Sequence, residues 1–295
     1  MTLLQTLVPL VLAQVGPNPN AIDIIGNPDD LVRRPPRQRS LDEEIADPKA
    51  AWLGECLQLI ETDPARAHSQ AQIKLGASSG ADAVIANHCL GLAATKLNLW
   101  DDATAAFAAA RQGTPLEEIR ARARFAAMAG NAALGAGNAA LALSHLQTAR
   151  AEAQEASSAD LQAIAATDAA RALVALDRAD EALTALDEAT ALAPGASEGW
   201  LLKATLLRRL DQLSEAQGAI EKAAELAPQE GAIGLEAGVI AVLGGREEAA
   251  RASWQSVIDT QPESLAAQTA QNYLAQLPPK PDPATPAPSP SETPS

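Results

Sequence analysis

Apolar residues recur at the spacing of one helical face along most of the chain, most clearly in residues 197–228. Trp200, Ala204 and Leu207 define one apolar stripe, and a second stripe follows within residues 213–226. This pattern predicts two amphipathic helices joined by a short polar turn. Because one helical hairpin cannot bury both of its apolar faces, further copies are expected along the chain.

A fixed frame of small, bulky and proline residues marks those copies. Pro194, Pro228 and Pro262 lie 34 residues apart, and an alanine precedes each by twelve positions. The same twelve-residue interval joins Ala103 to Pro115. A fifth copy, within residues 130–154, keeps the spacing but lacks the proline, and its helices are expected to be longer. The four regular copies have small residues at Gly91, Ala170, Ala204 and Gly238, alanines at Ala103, Ala182, Ala216 and Ala250, and bulky residues at Phe107, Leu186, Ile220 and Trp254.

The frame resembles the tetratricopeptide repeat, whose pattern runs W-x2-L-G-x2-Y, then A-x3-F, then a closing proline. Trp200 occupies the tryptophan place, Leu90-Gly91 the L-G pair, and Ala103 with Phe107 the A-x3-F pair. The resemblance implies an all-α fold, a right-handed superhelical solenoid of helix-turn-helix repeats. It also implies that the first helix of each hairpin forms a concave wall on which an extended peptide binds.

The chain divides into four segments by composition. Residues 1–13 form a short apolar run with the character of a signal peptide, too short to span a bilayer. Residues 14–48 form a leader rich in Pro, Asn and Arg, which predicts flexibility. Residues 49–277 hold the solenoid, with about five recognisable repeats, a degenerate first hairpin and a C-terminal capping helix. Residues 278–295 form a Pro-rich tail that is expected to be disordered.

Local sequence signals predict two helix starts. Asp63 before Pro64 predicts an N-cap followed by proline in the first helical turn. Thr114, followed three positions later by Glu117, predicts a capping box for the next helix.

Charge narrows the classes of partner. The chain has 37 acidic and 22 basic side chains and a formal net charge of −15, which argues against nucleic-acid binding. Acidic excess on exposed helices also keeps a protein soluble without implying any partner. No stable membrane span is predicted, because no apolar run reaches the necessary length.

Catalytic and metal-binding patterns are absent from the sequence. The three histidines, His68, His88 and His145, fall in different predicted helices without partners at ligand spacing. No phosphate-binding loop or nucleophile elbow occurs, so no catalytic residue, metal or cofactor is predicted.

The two cysteines, Cys56 and Cys89, lie 33 residues apart, close to one repeat period. In an exported protein they can form a disulfide between the first two hairpins, whereas in the cytoplasm they are buried thiols. Both interpretations stay open, and so does localisation, with the periplasm or cell envelope favoured over the cytoplasm.

Projection of the helical period predicts which side chains face the concave wall, and it gives a mixed surface with two arginines. Cationic spots there would suit a peptide that carries carboxylates. Ordinary exposed helix positions would give the same pattern. The predicted residues are His88, Leu92, Asn131, Arg171, Leu201, Thr205 and Arg208.

The sequence therefore predicts a non-catalytic scaffold that binds a peptide or protein partner. The alternatives are a structural component that self-assembles into homo-oligomers of an envelope complex and, more remotely, an enzyme whose site has no recognisable motif.

Overall fold

The computed structural model describes residues 48–278, with side chains from residue 51 onward. Within this range the backbone forms thirteen α-helices, one short 3-10 helix and no β-strand. The predicted signal peptide, nearly all of the leader and all but the first residue of the Pro-rich tail lie outside the described residues. The helices are α1 Pro48–Thr62, α2 Pro64–Gly76, α3 Gly80–Lys96, α4 Trp100–Gly113, α5 Ile119–Gly135, α6 Ala139–Glu155, α7 Ala159–Ala175, α8 Ala179–Leu192, α9 Ser197–Arg209, α10 Leu213–Leu226, α11 Gly231–Leu243, α12 Glu247–Thr260 and α13 Leu265–Gln276, with the 3-10 helix at Leu116–Glu118.

The helices pair into hairpins at the predicted positions. The stretch that defined the repeat forms α9 and α10, with the turn at residues 210–212. The irregular copy forms α5 and α6, each 17 residues long. Its second helix α6 is longer than the 14 residues of α8, α10 and α12, whereas its first helix α5 has the same length as α3 and α7. The all-α prediction is therefore confirmed within the described range.

The chain divides into two compact units, the first ending at Leu202 and the second beginning at Lys203. In the first unit, each helix from α1 to α7 packs against the next one along the chain. In the second, α10 packs against α11, α11 against α12, and α12 against α13. No sequence pattern marked this division, and the extent of a single solenoid over residues 49–277 stays a prediction.

In the three repeats whose small position is a glycine, a bulky side chain from the second helix lies against that glycine. A Cβ atom on Gly91 would meet the Phe107 ring at 2.5 Å, and one on Gly130 would meet Leu146 at 2.5 Å. Protein interiors are close-packed, so these contacts leave no room for a methyl group. The repeat frame thus records direct contacts between the two helices of one hairpin.

Turns inside the hairpins share one backbone conformation. Asn98, Asp177 and Asp211 have φ values of 58°, 58° and 61°, in the left-handed region. The amide directly after the left-handed residue then reaches back five residues, as from Gln212 N–H to the Leu207 carbonyl at 2.9 Å. This bond is the mark of the Schellman motif, which satisfies a carbonyl at the end of the first helix.

One predicted helix start is confirmed and the other is wrong. Asp63 accepts a hydrogen bond from Arg66 N–H at 3.0 Å, and Pro64 opens α2. The Thr114 hydroxyl instead donates to the Ala110 carbonyl at 2.7 Å. Thr114 is therefore the C-cap residue of α4. The 3-10 helix at Leu116–Glu118 separates it from the start of α5 at Ile119.

Candidate functional site

The predicted binding residues lie on the first helices of successive hairpins, and we call the five that belong to the first unit the first-helix wall. Leu92, Asn131, Arg171 and Thr205 each follow the small position of their repeat directly, so they occupy equivalent places on α3, α5, α7 and α9. The wall therefore contains the predicted residues from His88 to Leu201. Thr205 and Arg208 lie in the second unit.

The two wall residues on α3, His88 and Leu92, carry no charge at pH 7. His88 is half-buried, and its ring stands edge-on to the Phe125 ring of α5 at 5.1 Å between centroids. Burial lowers the pKa of His88 to about 4, so the imidazole is neutral at pH 7. Leu92 lies in the core beside Cys89 and Phe107, and only 8% of it is exposed. Leu92 therefore offers little surface to a ligand.

Asn131 brings a polar group to the wall on α5. The residue is half-buried, and its Oδ1 atom is buried without a hydrogen-bond partner among the described residues. An unpaired buried polar atom is destabilising, and such atoms are rare in folded proteins. This amide can take one further hydrogen bond.

Arg171 on α7 is enclosed by carboxylates. One guanidinium nitrogen pairs with Asp168 of the same helix, and the other pairs with Glu198 of α9. Burial raises the pKa of Asp168 to about 6, an effect that Arg171 opposes and Glu198 strengthens. The guanidinium charge is therefore already matched inside the protein.

Arg208 in the second unit is also paired. Its Nε atom donates to Glu236 of α11 at 2.6 Å, and both side chains are almost completely buried. Burial, strengthened by the Glu236 charge, raises the pKa of the Tyr273 hydroxyl on α13. Thr205 is half-buried here, as Leu201 is in the first unit.

These pairings correct the electrostatic part of the prediction. Arg171 and Arg208 were expected to be cationic spots that attract a peptide's carboxylates, but each guanidinium is neutralised by its own chain. Sequence spacing could have suggested the Asp168 partner, since oppositely charged residues three apart meet on a helix. Glu198 and Glu236 come from the next hairpin and carry no local signal.

A second buried network, which no sequence pattern indicated, joins α4, α5 and α6 in the first unit. Glu152 accepts hydrogen bonds from Arg111 at 2.6 and 3.0 Å and from Arg122 at 3.2 Å. Arg122 also donates to the carbonyls of Arg111 and Thr114, at 3.0 and 2.9 Å, and so satisfies the end of α4. Burial and the Arg111 charge lower the pKa of the neighbouring His145. This network joins three helices through one carboxylate.

Cys56 of α1 and Cys89 of α3 are brought together as a disulfide, with Cα atoms 6.2 Å apart. That separation lies within the range that disulfides span. Both cysteines are buried in the core of the first unit. Of the two interpretations of these cysteines, the structure contains the bridged form.

The three histidines do not come together into one site among the described residues. His68 faces Asp102 at 3.6 Å and lies on α2, whereas the other two histidines lie on α3 and α6. Within residues 48–278, no group of three or more His, Cys, Asp or Glu side chains is placed to hold a metal ion. No helix in this range has the length and apolar character needed to cross a membrane.

Comparison with known proteins rests on structure. No protein-family model and no curated protein sequence matches the chain. The solved structure of PilW, a widely conserved type IV pilus biogenesis factor, matches with a TM-score of 0.61 at 15% identity, covering 77% of this chain and 99% of PilW. Pseudomonas aeruginosa PilF matches with a TM-score of 0.58 at 15% identity, covering 76% of this chain and 97% of PilF.

MamA from Desulfovibrio magneticus RS-1 matches with a TM-score of 0.50 at 15% identity, covering 62% of this chain and 97% of the MamA chain. At these identities the matches show the fold alone. All three are tetratricopeptide-repeat proteins, and their fold agrees with the register of small and bulky residues found here. This chain therefore has the fold of tetratricopeptide-repeat proteins.

Proposed function

We propose that the protein is a non-catalytic scaffold that binds an extended segment of a protein partner on the first helices of the first unit. The observation that carries this proposal is the Asn131 amide, whose buried Oδ1 has no partner among the described residues. Asn131 sits on α5, which packs directly against α7, the helix of Arg171.

An asparagine amide suits the recognition of peptide backbone. Its oxygen can accept from a peptide N–H and its NH₂ group can donate to a carbonyl. One side chain can thus pair with an extended chain at two atoms once the half-buried amide turns outward and uncovers Oδ1. The surroundings are neutral or internally paired, because His88 is uncharged at pH 7 and Arg171 is held by Asp168 and Glu198. We therefore expect backbone contacts, and not a terminal carboxylate, to supply the affinity.

We also propose that the protein is located in the periplasm or cell envelope. Structural disulfides form and persist in oxidising compartments, and the Cys56–Cys89 bridge supports export. The predicted signal peptide at residues 1–13 points the same way.

Peptide-library selection against the full chain tests the binding role. The tightest selected peptide should lose about fivefold in affinity on Asn131→Ala, since one hydrogen bond contributes on the order of 1 kcal/mol. Asn272→Ala, at an exposed position of α13, is the matched control and should leave the affinity unchanged. Equal affinities for the wild type and Asn131→Ala would remove Asn131 from the binding surface and the proposal with it.

A further inference from the structure

We propose that the Cys56–Cys89 disulfide is a redox latch, which keeps the α1–α2 hairpin docked on α3 and releases it on reduction. The hairpin is the least buried of the first unit. Only four of its described side chains are fully buried, against nine residues in α5 alone. Two of the four are alanines, and the other two are Cys56 and Ile60. Since hydrophobic stabilisation scales with buried apolar area, packing holds this hairpin weakly.

The polar ties between the hairpin and its neighbours are weak as well. Glu61 of α1 pairs with Lys96 of α3 at 3.2 Å, but both side chains are at least half exposed. His68 of α2 approaches Asp102 of α4 at 3.6 Å, and Asp102 is also exposed. Ion pairs of this kind contribute little to stability. On the outer side, Ile73 remains 75% exposed.

The disulfide lies where it controls this docking. It joins the middle of α1 to α3 inside a core that also contains partly buried Trp52, Leu53 and Leu90. A crosslink of this loop length typically lowers the population of opened chains by about a hundredfold. For a hairpin whose other contacts bury few large apolar side chains, that factor decides whether it stays docked.

The redox step is ordinary thiol–disulfide exchange with a dithiol reductant. One thiolate of the reductant attacks a cysteine sulfur, the bond between Cys56 and Cys89 breaks, and a mixed disulfide forms. The second thiol of the reductant then displaces the protein sulfur. The chain gains two electrons and two protons as two free thiols, and the reductant leaves as its disulfide. Because both cysteines are buried, exchange occurs when the hairpin opens briefly, and the reduced hairpin then stays open far longer.

The latch makes the exposure of one face of α3 depend on whether the compartment is reducing or oxidising. In a reducing compartment the released hairpin uncovers the face of α3 that carries Cys89 and Leu90. After transfer to an oxidising compartment the bridge forms and the face is covered. This inference is independent of peptide binding at Asn131, so either can fail alone.

Amide hydrogen exchange on the full chain, with and without dithiothreitol, tests the latch. Reduction should speed exchange in α1 and α2 by at least about tenfold and leave α5 and α6 within about twofold, and reoxidation should restore protection. Cys56→Ala/Cys89→Ala should behave as the reduced protein in both redox conditions. Glu61→Gln, which breaks the surface ion pair between α1 and α3, is the control and should change exchange by no more than a few fold.

Three results would overturn the latch. Unchanged exchange in α1 and α2 after reduction would make the bridge dispensable for docking. Loss of protection throughout the first unit would make it a global stabiliser. Resistance of the bridge to dithiothreitol in the folded protein would make it a permanent crosslink.

Discussion

At the scale of single residues, the glycines of the repeats differ sharply in what surrounds them. Gly238 of α11 faces the indole of Trp254, and an added Cβ would overlap the indole nitrogen. Trp254 cannot retreat, because it is fully buried and its N–H donates to the Leu235 carbonyl at 3.1 Å. Gly218 of α10 has no atom within 4 Å of the same hypothetical Cβ.

These two glycines form a matched pair for mutation. Gly238→Ala should lower the unfolding free energy by about 1–3 kcal/mol, because overpacking outweighs the gain in helix propensity. Gly218→Ala should raise it by about 0.5–1 kcal/mol, since only the propensity term acts there. Urea denaturation of both variants measures the difference, and equal effects would contradict the packing argument.

Asp168 is expected to make stability depend on pH. Its folded pKa of about 6 lies above its ordinary value of 3.8, so the folded chain binds this proton more tightly than the unfolded chain. Its contribution to stability is therefore complete below about pH 4 and is lost as pH rises through about 6. An asparagine side chain cannot titrate, so the stability of Asp168→Asn relative to wild type should rise by roughly 2 kcal/mol between pH 4 and pH 7. Urea denaturation across that range checks this, and a constant difference would contradict it.

At the scale of helices, buried charge fixes how hairpins meet. Glu152 of α6 binds Arg111 of α4 and Arg122 of α5, so three helices converge on one carboxylate. Removal of that charge would leave two arginines without their buried partner, a much larger penalty than loss of a surface pair. The network also satisfies carbonyls at the end of α4 that have no partner within the helix.

Glu152→Gln should therefore lower the unfolding free energy by about 3–5 kcal/mol, with no loss of helix in the folded protein. Glu225→Gln, which breaks the exposed Lys222–Glu225 pair on α10, should change it by less than about 1 kcal/mol. Thermal unfolding followed by circular dichroism compares the two. Similar shifts of the unfolding temperature in both variants would show that the buried Glu152 network stabilises the fold no more than an exposed ion pair does.

At the scale of the whole molecule, export, oxidation and assembly can be measured on one sample. For protein purified from its own host, we expect the intact mass of a chain that begins at Gln14, because the predicted signal peptide is cleaved after residue 13. Alkylation should raise this mass only after reduction, because the Cys56–Cys89 bridge leaves no free thiol. A full-length mass with two free thiols would instead favour the cytoplasm.

Sedimentation of that sample addresses the self-assembling alternative. A scaffold that binds a foreign segment should sediment as one species whose mass does not change with protein concentration. Mass that rises with concentration would favour a structural component built from copies of this chain.

How far the sequence predicted the molecule depended on the range of the interactions involved. The small, bulky and proline positions were found because Gly91 and Phe107, or Gly238 and Trp254, belong to one hairpin and repeat at a fixed interval. The Asp63 cap was found because its partner lies three residues away. Thr114 was misassigned because a 3-10 turn, which no local rule indicated, shifted the start of α5.

The sequence by itself determined the helical hairpins and their register, since a 34-residue pattern of residue size encodes contacts within each hairpin. It also placed Asn131 and Arg171 at equivalent positions. Only the tertiary structure decided their chemistry, because the carboxylates that neutralise Arg171 and Arg208 and the absence of a partner for Asn131 Oδ1 among the described residues depend on neighbouring hairpins. Charge pairing between hairpins has no fixed sequence interval, and so it appears only when the chain is folded.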